Sequence, residues 1–136
     1  MSEPSYIQQQ LMQRMSPVEC IGDGIYSTSI TFEPGFPGFE GHFPGHPIVP
    51  ALCLVSVVEI VARQVSGLPK LRFSEIKNMK FKVPLEPGDV ATFKISISNG
   101  GQLPFLANAT VSTEKHAEIS KIRLAFTTSR QSGCSR

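Results

Sequence analysis

The stretch FEGHFPGHPIVPALCLVSVVEIVARQV, Phe39–Val65, changes character partway along. It opens with His42 and His46 among glycines and prolines, then becomes apolar at nearly every position. Five prolines and four glycines fall between Pro34 and Pro50. That density excludes both a helix and a central strand, so the segment reads as a long, stiffened loop. Long loops of this kind in compact domains often carry function. From Ala51 to Val65 the pattern is helical. Leu52, Leu54, Val55, Val57, Val58, Ile60 and Val61 cover nearly every side, which predicts a buried helix. Pro50 suits the helix start, and Gly67 followed by Pro69 supplies the stop.

On the N-terminal side, Ser5–Met15 reads as a short amphipathic helix. Ser5 and Gln8 have the spacing of a capping box, and Ile7, Leu11 and Met15 recur at helical intervals. Ile25–Phe32 alternates as a strand does. On the C-terminal side, Phe73–Val83, Val90–Ser98, Leu103–Thr113 and Ala117–Thr127 read as strands. Pro84 and the EPGD run Glu86–Asp89 separate the earlier ones; NGG (Asn99–Gly101) and TEKH (Thr113–His116) read as hairpin turns. Cys20 falls ahead of the first expected strand. The expected fold is α+β: a curved, largely antiparallel sheet wrapped around a central buried helix. Residues 1–128 form one domain on this reading, and residues 129–136 form a flexible polar tail.

Bulk composition narrows the function. The chain has 136 residues and a net charge of only +2, with cations scattered and not interleaved with aromatics, so nucleic acid is not an expected partner. Cys20, Cys53 and Cys134 make an odd count without a CxxC spacing. Neither a disulfide framework nor a metal site is expected, and a reducing compartment fits. The N-terminus is polar and Gln-rich, unlike a secretion signal, and no apolar run is long enough to span a bilayer. The expectation is a cytoplasmic protein with no membrane partner.

The chemistry starts at the junction of loop and helix. A helix beginning at Ala51 presents unpaired backbone N–H groups, whose partial positive charge attracts an anion or a polarised carbonyl oxygen. His42 lies nine residues upstream on a proline-stiffened loop. An imidazole held there is a candidate general base aimed at a carbon next to a carbonyl. A solvated loop histidine is the alternative, and spacing alone leaves both open.

GHFPGHPIVPA, Gly41–Ala51, closely resembles the active-site signature of the bacterial 3-hydroxyacyl-acyl-carrier-protein dehydratases, a GHFPG run and a PG pair followed by a long apolar helix. MKFKVPLEPGD (Met79–Asp89) and ANATVSTEKHAEISKIRLAF (Ala107–Phe126) resemble that family's later strand, turn and hairpin, in the same order. The resemblance implies a hotdog fold, a homodimer or larger oligomer with sheets joined edge to edge, and sites shared between subunits. It implies a substrate carried on acyl carrier protein or coenzyme A, in fatty-acid synthesis or a specialised lipid or polyketide pathway, with no cofactor and no metal. His42 matches the catalytic base. Ala51 falls where the family has a glycine whose N–H polarises the thioester carbonyl, and alanine retains that N–H. Phe43, Gly45 and Pro50 belong to the same substrate-binding motif. Among the cations around one strand, Arg72, Lys77, Lys80 and Lys82, the last two are the expected contacts for an acidic carrier or its phosphate. An ordinary solvated face is the alternative for the whole group.

One position departs from that pattern. The family carries a carboxylate on the helix fourteen residues after the histidine, and this chain has Ser56 there. A serine hydroxyl can orient a leaving hydroxyl but is a poor acid near neutral pH. Glu59, three residues further along, is a candidate displaced acid if buried, and a surface partner of Arg63 at i,i+4 if exposed. His46 sits in the motif's variable slot and reads as a loop residue, with proton donation as the lesser reading. Cys53 reads as a small packed hydrophobe, with nucleophilic catalysis as its alternative. The expected reaction is loss of water from a 3-hydroxyacyl thioester to give the trans-2-enoyl thioester. The other readings are an inactive acyl-binding subunit, which Ser56 favours, and an acyl thioesterase using Glu59.

Overall fold

The computed structural model describes residues 5–39 and 48–127. Its elements follow the order α1 (Tyr6–Arg14), β1 (Glu19–Gly22), β2 (Ile25–Thr31), α2 (Ala51–Ser66), β3 (Glu75–Phe81), β4 (Val90–Ile97), β5 (Phe105–Ser112) and β6 (Ser120–Phe126). All six strands join one antiparallel sheet in the order β1-β2-β4-β5-β6-β3, which leaves β1 and β3 as its edges.

Period-two alternation builds the inner face. Ala91, Phe93, Ile95 and Ile97 of β4, then Phe105, Ala107, Ala109 and Val111 of β5, are buried, as are Ile122, Leu124 and Phe126 of β6. Their intervening neighbours Thr92, Lys94, Asn108, Lys121 and Arg123 are exposed. The curved sheet wraps α2, whose Val57, Val58, Val61 and Ala62 are fully buried. Each fully buried valine contributes about 1.5–3 kcal/mol before chain entropy is subtracted. The helix stops where Gly67 adopts a left-handed conformation at φ 75° and its N–H donates to Arg63 O at 2.9 Å. This is the α+β hotdog architecture expected from the sequence.

Helix α1 also forms where the sequence places it. Ser5 Oγ accepts from the Gln8 N–H at 3.2 Å, but the Gln8 side chain leaves the cap and bonds to α2. The NGG and TEKH runs are hairpin connections: β4 pairs with β5, and β5 with β6. Asn99, Gly100 and Gly101 all take positive φ, at 56°, 63° and 80°. No helix among the described residues is long and apolar enough to cross a membrane.

Two expectations need correction. Cys20 does not precede the first strand; it lies in β1, paired with β2 around an Asp23–Gly24 turn in which Gly24 has φ 71°. Four residues are too few to show alternation, but the Asp-Gly pair was a usable turn signal. Helix α2 is not covered on every side, because Ala51 is exposed and Leu52 is 68% exposed at its first turn. A bulge between Ile76 and Asn78 interrupts the alternation of β3. The tail from Ser129 to Arg136 lies outside the described residues.

Candidate active site

A cavity of about 480 Å³ opens at the N-terminus of α2. The chain leading into the helix, from Ile48 through Ala51, forms one side with Leu54, and the segment from Phe81 to Leu85 forms the other. Its lining is mainly apolar, and Lys82 is the one charged residue among the described residues that line it. Two main-chain features organise this end of α2. Val49 N–H donates to Leu85 O at 2.8 Å, tying the two sides together. Pro50 takes an extended conformation and its carbonyl accepts from the Cys53 N–H at 3.0 Å. No side chain caps the helix, and the Ala51 N–H has no acceptor among the described residues. An uncapped helix N-terminus in an apolar cavity attracts a carbonyl oxygen or an anion.

Ala51, Pro50 and Lys82 therefore meet at one cavity. His42, Phe43, Gly45 and His46 lie outside the described residues, as do the others of segment 40–47. Leading into that segment, Phe32, Phe36 and Phe39 form two edge-to-face ring contacts, with centroids 5.2 and 5.7 Å apart. Gly38 packs against the Phe36 ring so closely that any Cβ would collide with it. The Arg14 guanidinium covers the same ring at 5.5 Å and holds Glu33 through Nη2 at 2.6 Å and Nε at 2.9 Å. This hydrogen-bonded pair holds the Glu33 carboxyl below its usual pKa and raises that of Arg14.

Glu59 combines parts of both sequence readings. It is buried, at 6% exposure, yet it pairs with Arg63, whose Nη2 donates to Oε1 at 3.1 Å. Gln8 Nε2 donates to the same oxygen at 3.0 Å, and the Phe73 N–H donates to Oε2 at 2.9 Å. Arg63 in turn donates through Nη1 to Gln8 Oε1 at 2.9 Å and through Nε to Leu71 O at 2.7 Å. Each carboxylate oxygen thus has a donor, and three separate chain segments converge on the group. Helical spacing could not reveal Gln8 or Phe73 as partners, because both come from other elements. Glu59 does not line the cavity, and neither does Ser56, which is half-buried and whose hydroxyl has no hydrogen-bond partner among the described residues.

Lys80 is exposed on β3, directly opposite Lys121 of β6. The same cross-strand row continues through Thr110 to Lys94, and Arg123 stands on the same face. Like charges set opposite each other across a sheet are destabilising unless an anion offsets them. Lys82 pairs with Glu118 at 2.7 Å, and that contact lowers the Glu118 pKa, helped by the charges of Lys121 and Lys80. Cys53 is buried, and burial pushes its thiol up to about 11, so it is a packed thiol at neutral pH and not a thiolate.

The sequence model described as "ApeI-like: ApeI dehydratase" matches residues 21–123. The chain is 33% identical over 98 residues to the 3-hydroxyacyl-[acyl-carrier-protein] dehydratase FabZ of Wolbachia sp. subsp. Drosophila simulans, covering 66% of this chain and 67% of that one. Its fold matches the dehydratase heterocomplex ApeI:P from Xenorhabdus doucetiae with a TM-score of 0.71 at 22% identity, over 84% of this chain and 96% of the other. It also matches zebra fish thioesterase superfamily member 2 with a TM-score of 0.66 at 11% identity, over 91% of this chain and 86% of the other. The hotdog fold is thus shared with thioesterases, while the sequence itself falls with dehydratases: this chain belongs to the ApeI-like dehydratase family.

Proposed function

We propose that this chain dehydrates a 3-hydroxyacyl thioester to the trans-2-enoyl thioester. The observation that carries the reading is the uncapped start of α2 at Ala51, exposed to an apolar cavity and preceded in the sequence by a GHFPG run. The thioester carbonyl accepts from the Ala51 N–H, which stabilises the enolate-like charge as it develops. His42 takes the α-proton, the electrons of that C–H bond become the new C=C bond, and the C–O bond at the β-carbon breaks. The hydroxyl leaves as water once it has received a proton. Phe43, Gly45 and Pro50 frame the acyl group, and Lys82 stands by the thioester arm.

Within this proposal, Glu59 is not the acid. Its oxygens already accept from Gln8, Arg63 and Phe73, and it stands away from the cavity lining. Ser56 does not line this cavity either, and the proton for the departing hydroxyl comes from a carboxylic acid on a second hotdog chain. The likeness in fold to the dehydratase heterocomplex ApeI:P favours a partner of a different sequence over a second copy of this chain. An acidic acyl carrier protein delivers the substrate across the cations Lys80, Lys121, Lys94 and Arg123. The same engagement of Glu59 counts against a thioesterase that would use it as a base.

One assay separates the readings. Purified protein, alone and mixed with a hotdog chain that carries the helix carboxylate, is given a carrier-bound 3-hydroxyacyl substrate, and enoyl absorbance and free thiol are followed together. Enoyl formation that His42→Ala abolishes supports the proposal. Thiol release without enoyl product would make the protein a thioesterase. Binding with neither product, alone and in the mixture, would make it an inactive acyl-binding subunit.

A further inference from the structure

Phe32 and Val49, which flank the stretch that carries His42, are both bonded to the same five-residue turn, Leu85–Asp89. On the entry side, Phe32 N–H donates to Asp89 O at 2.9 Å, and Gly88 N–H donates to Phe32 O at 2.6 Å. On the exit side, Val49 N–H donates to Leu85 O at 2.8 Å. Phe32 directly follows β2, and Val49 stands two residues before α2. The excursion between them is therefore closed at its base by the Leu85–Asp89 turn, and the shape of that turn sets how far apart its ends lie.

The turn is itself over-determined. Asp89 N–H donates to Glu86 O at 3.1 Å, with Pro87 and Gly88 between them and Gly88 at φ 95°. Proline at the second position and a positive-φ glycine at the third are what a type II turn requires. The Asp89 carboxylate closes the ring from the other side, because Oδ2 accepts from the Glu86 N–H at 2.8 Å. Leu85 is buried at 3% exposure and lines the cavity, which anchors the turn to the site. Strand β4 begins directly after Asp89, so the base is continuous with the sheet.

We propose that the Leu85–Asp89 turn is the positioning device of the reaction, with Asp89 as a positioning residue that acts through the Glu86 amide. The inference rests on the reading of His42 as general base. A base and an N–H that must converge on one substrate have to be held at a set separation, and a shift of about 1 Å is costly to turnover. The turn contributes to that positioning by bonding Phe32, which precedes the stretch that carries His42, and Val49, which follows it.

The test compares Asp89→Ala, which removes the acceptor, with Asp89→Asn, which keeps an oxygen there, and with Gly88→Ala, which strains the turn at positive φ. Asp89→Ala and Gly88→Ala are expected to lower kcat by on the order of ten-fold with KM within about two-fold, while Asp89→Asn stays within about two-fold of wild type. Hydrogen exchange, which needs no turnover, is expected to show faster exchange at Phe32 and Val49 in Asp89→Ala, with Ala109 in β5 unchanged. Unaltered kcat in Asp89→Ala, an equal fall in Asp89→Asn, or loss of protection across the whole sheet would each overturn the inference. A wild type that forms no enoyl product in any mixture would sink the proposed function instead, and the exchange at Phe32 and Val49 would then decide the clamp by itself.

Discussion

Gln8 on α1 and Glu59 on α2 are joined by a 3.0 Å hydrogen bond between residues 51 apart in the chain. That contact, with those of Arg63 and the Phe73 amide, makes one buried carboxylate the junction of the N-terminal helix, the central helix and the entry to β3. Removing it leaves the Arg63 guanidinium without its counter-charge and the Phe73 N–H without its acceptor, in a site from which water is largely excluded. Glu59→Ala is expected to cost about 3 kcal/mol, read as a lower urea midpoint with an unchanged slope. Glu59→Gln keeps an acceptor and costs less. Turnover per folded molecule is expected to survive in Glu59→Gln, and its loss would return Glu59 to the chemistry.

The pairing of Arg14 with Glu33 predicts a pH dependence. The Glu33 carboxyl is held below its usual value by its hydrogen bond to Arg14. A carboxylate with a lowered native pKa stabilises the fold above its ordinary pKa, and that contribution is lost as pH falls through the lowered value. Arg14→Met is therefore expected to melt below wild type at neutral pH. The gap is expected to narrow as pH is taken below the ordinary carboxylate range, in melting curves recorded at several pH values. A gap of constant size would assign the role of Arg14 to its contact with the Phe36 ring alone.

Cys53 is predicted to be inert in the native state. Its thiol is pushed up to about 11 by burial, whereas Cys20 is exposed. Iodoacetamide at neutral pH is expected to alkylate Cys20 and to reach Cys53 only after denaturation, as read by peptide mass. Rapid native labelling of Cys53 would reopen the nucleophile reading.

Ser56 falls where the dehydratase signature that this sequence resembles has a carboxylate, and no carboxylate lines the cavity among the described residues. Ser56→Glu is expected to raise enoyl formation by the protein alone by at least about ten-fold, since a positioned acid contributes on the order of a hundred-fold or more. It is also expected to lower stability, because a half-buried position gains a charge. No gain in enoyl absorbance would show that the serine hydroxyl already suffices or that the missing group is not an acid.

Much of the fold was legible because it depends on local period and punctuation. The α2 boundaries follow from Pro50 and Gly67, and β4, β5 and β6 from alternation between turn signals. β1 was missed because four residues are too few to show a period, and the bulge in β3 because a register shift is set by the neighbouring strand. Of the candidate site, Pro50 and Ala51 could be placed at the helix start from the sequence and do line the cavity, while the GHFPG run lies outside the described residues. Only the folded chain could decide the rest. Whether Glu59 is free or engaged depends on Gln8 and Phe73, and what closes the base of the His42 segment depends on Leu85–Asp89. Residues far apart in the chain meet only through packing, and no local pattern encodes those distances.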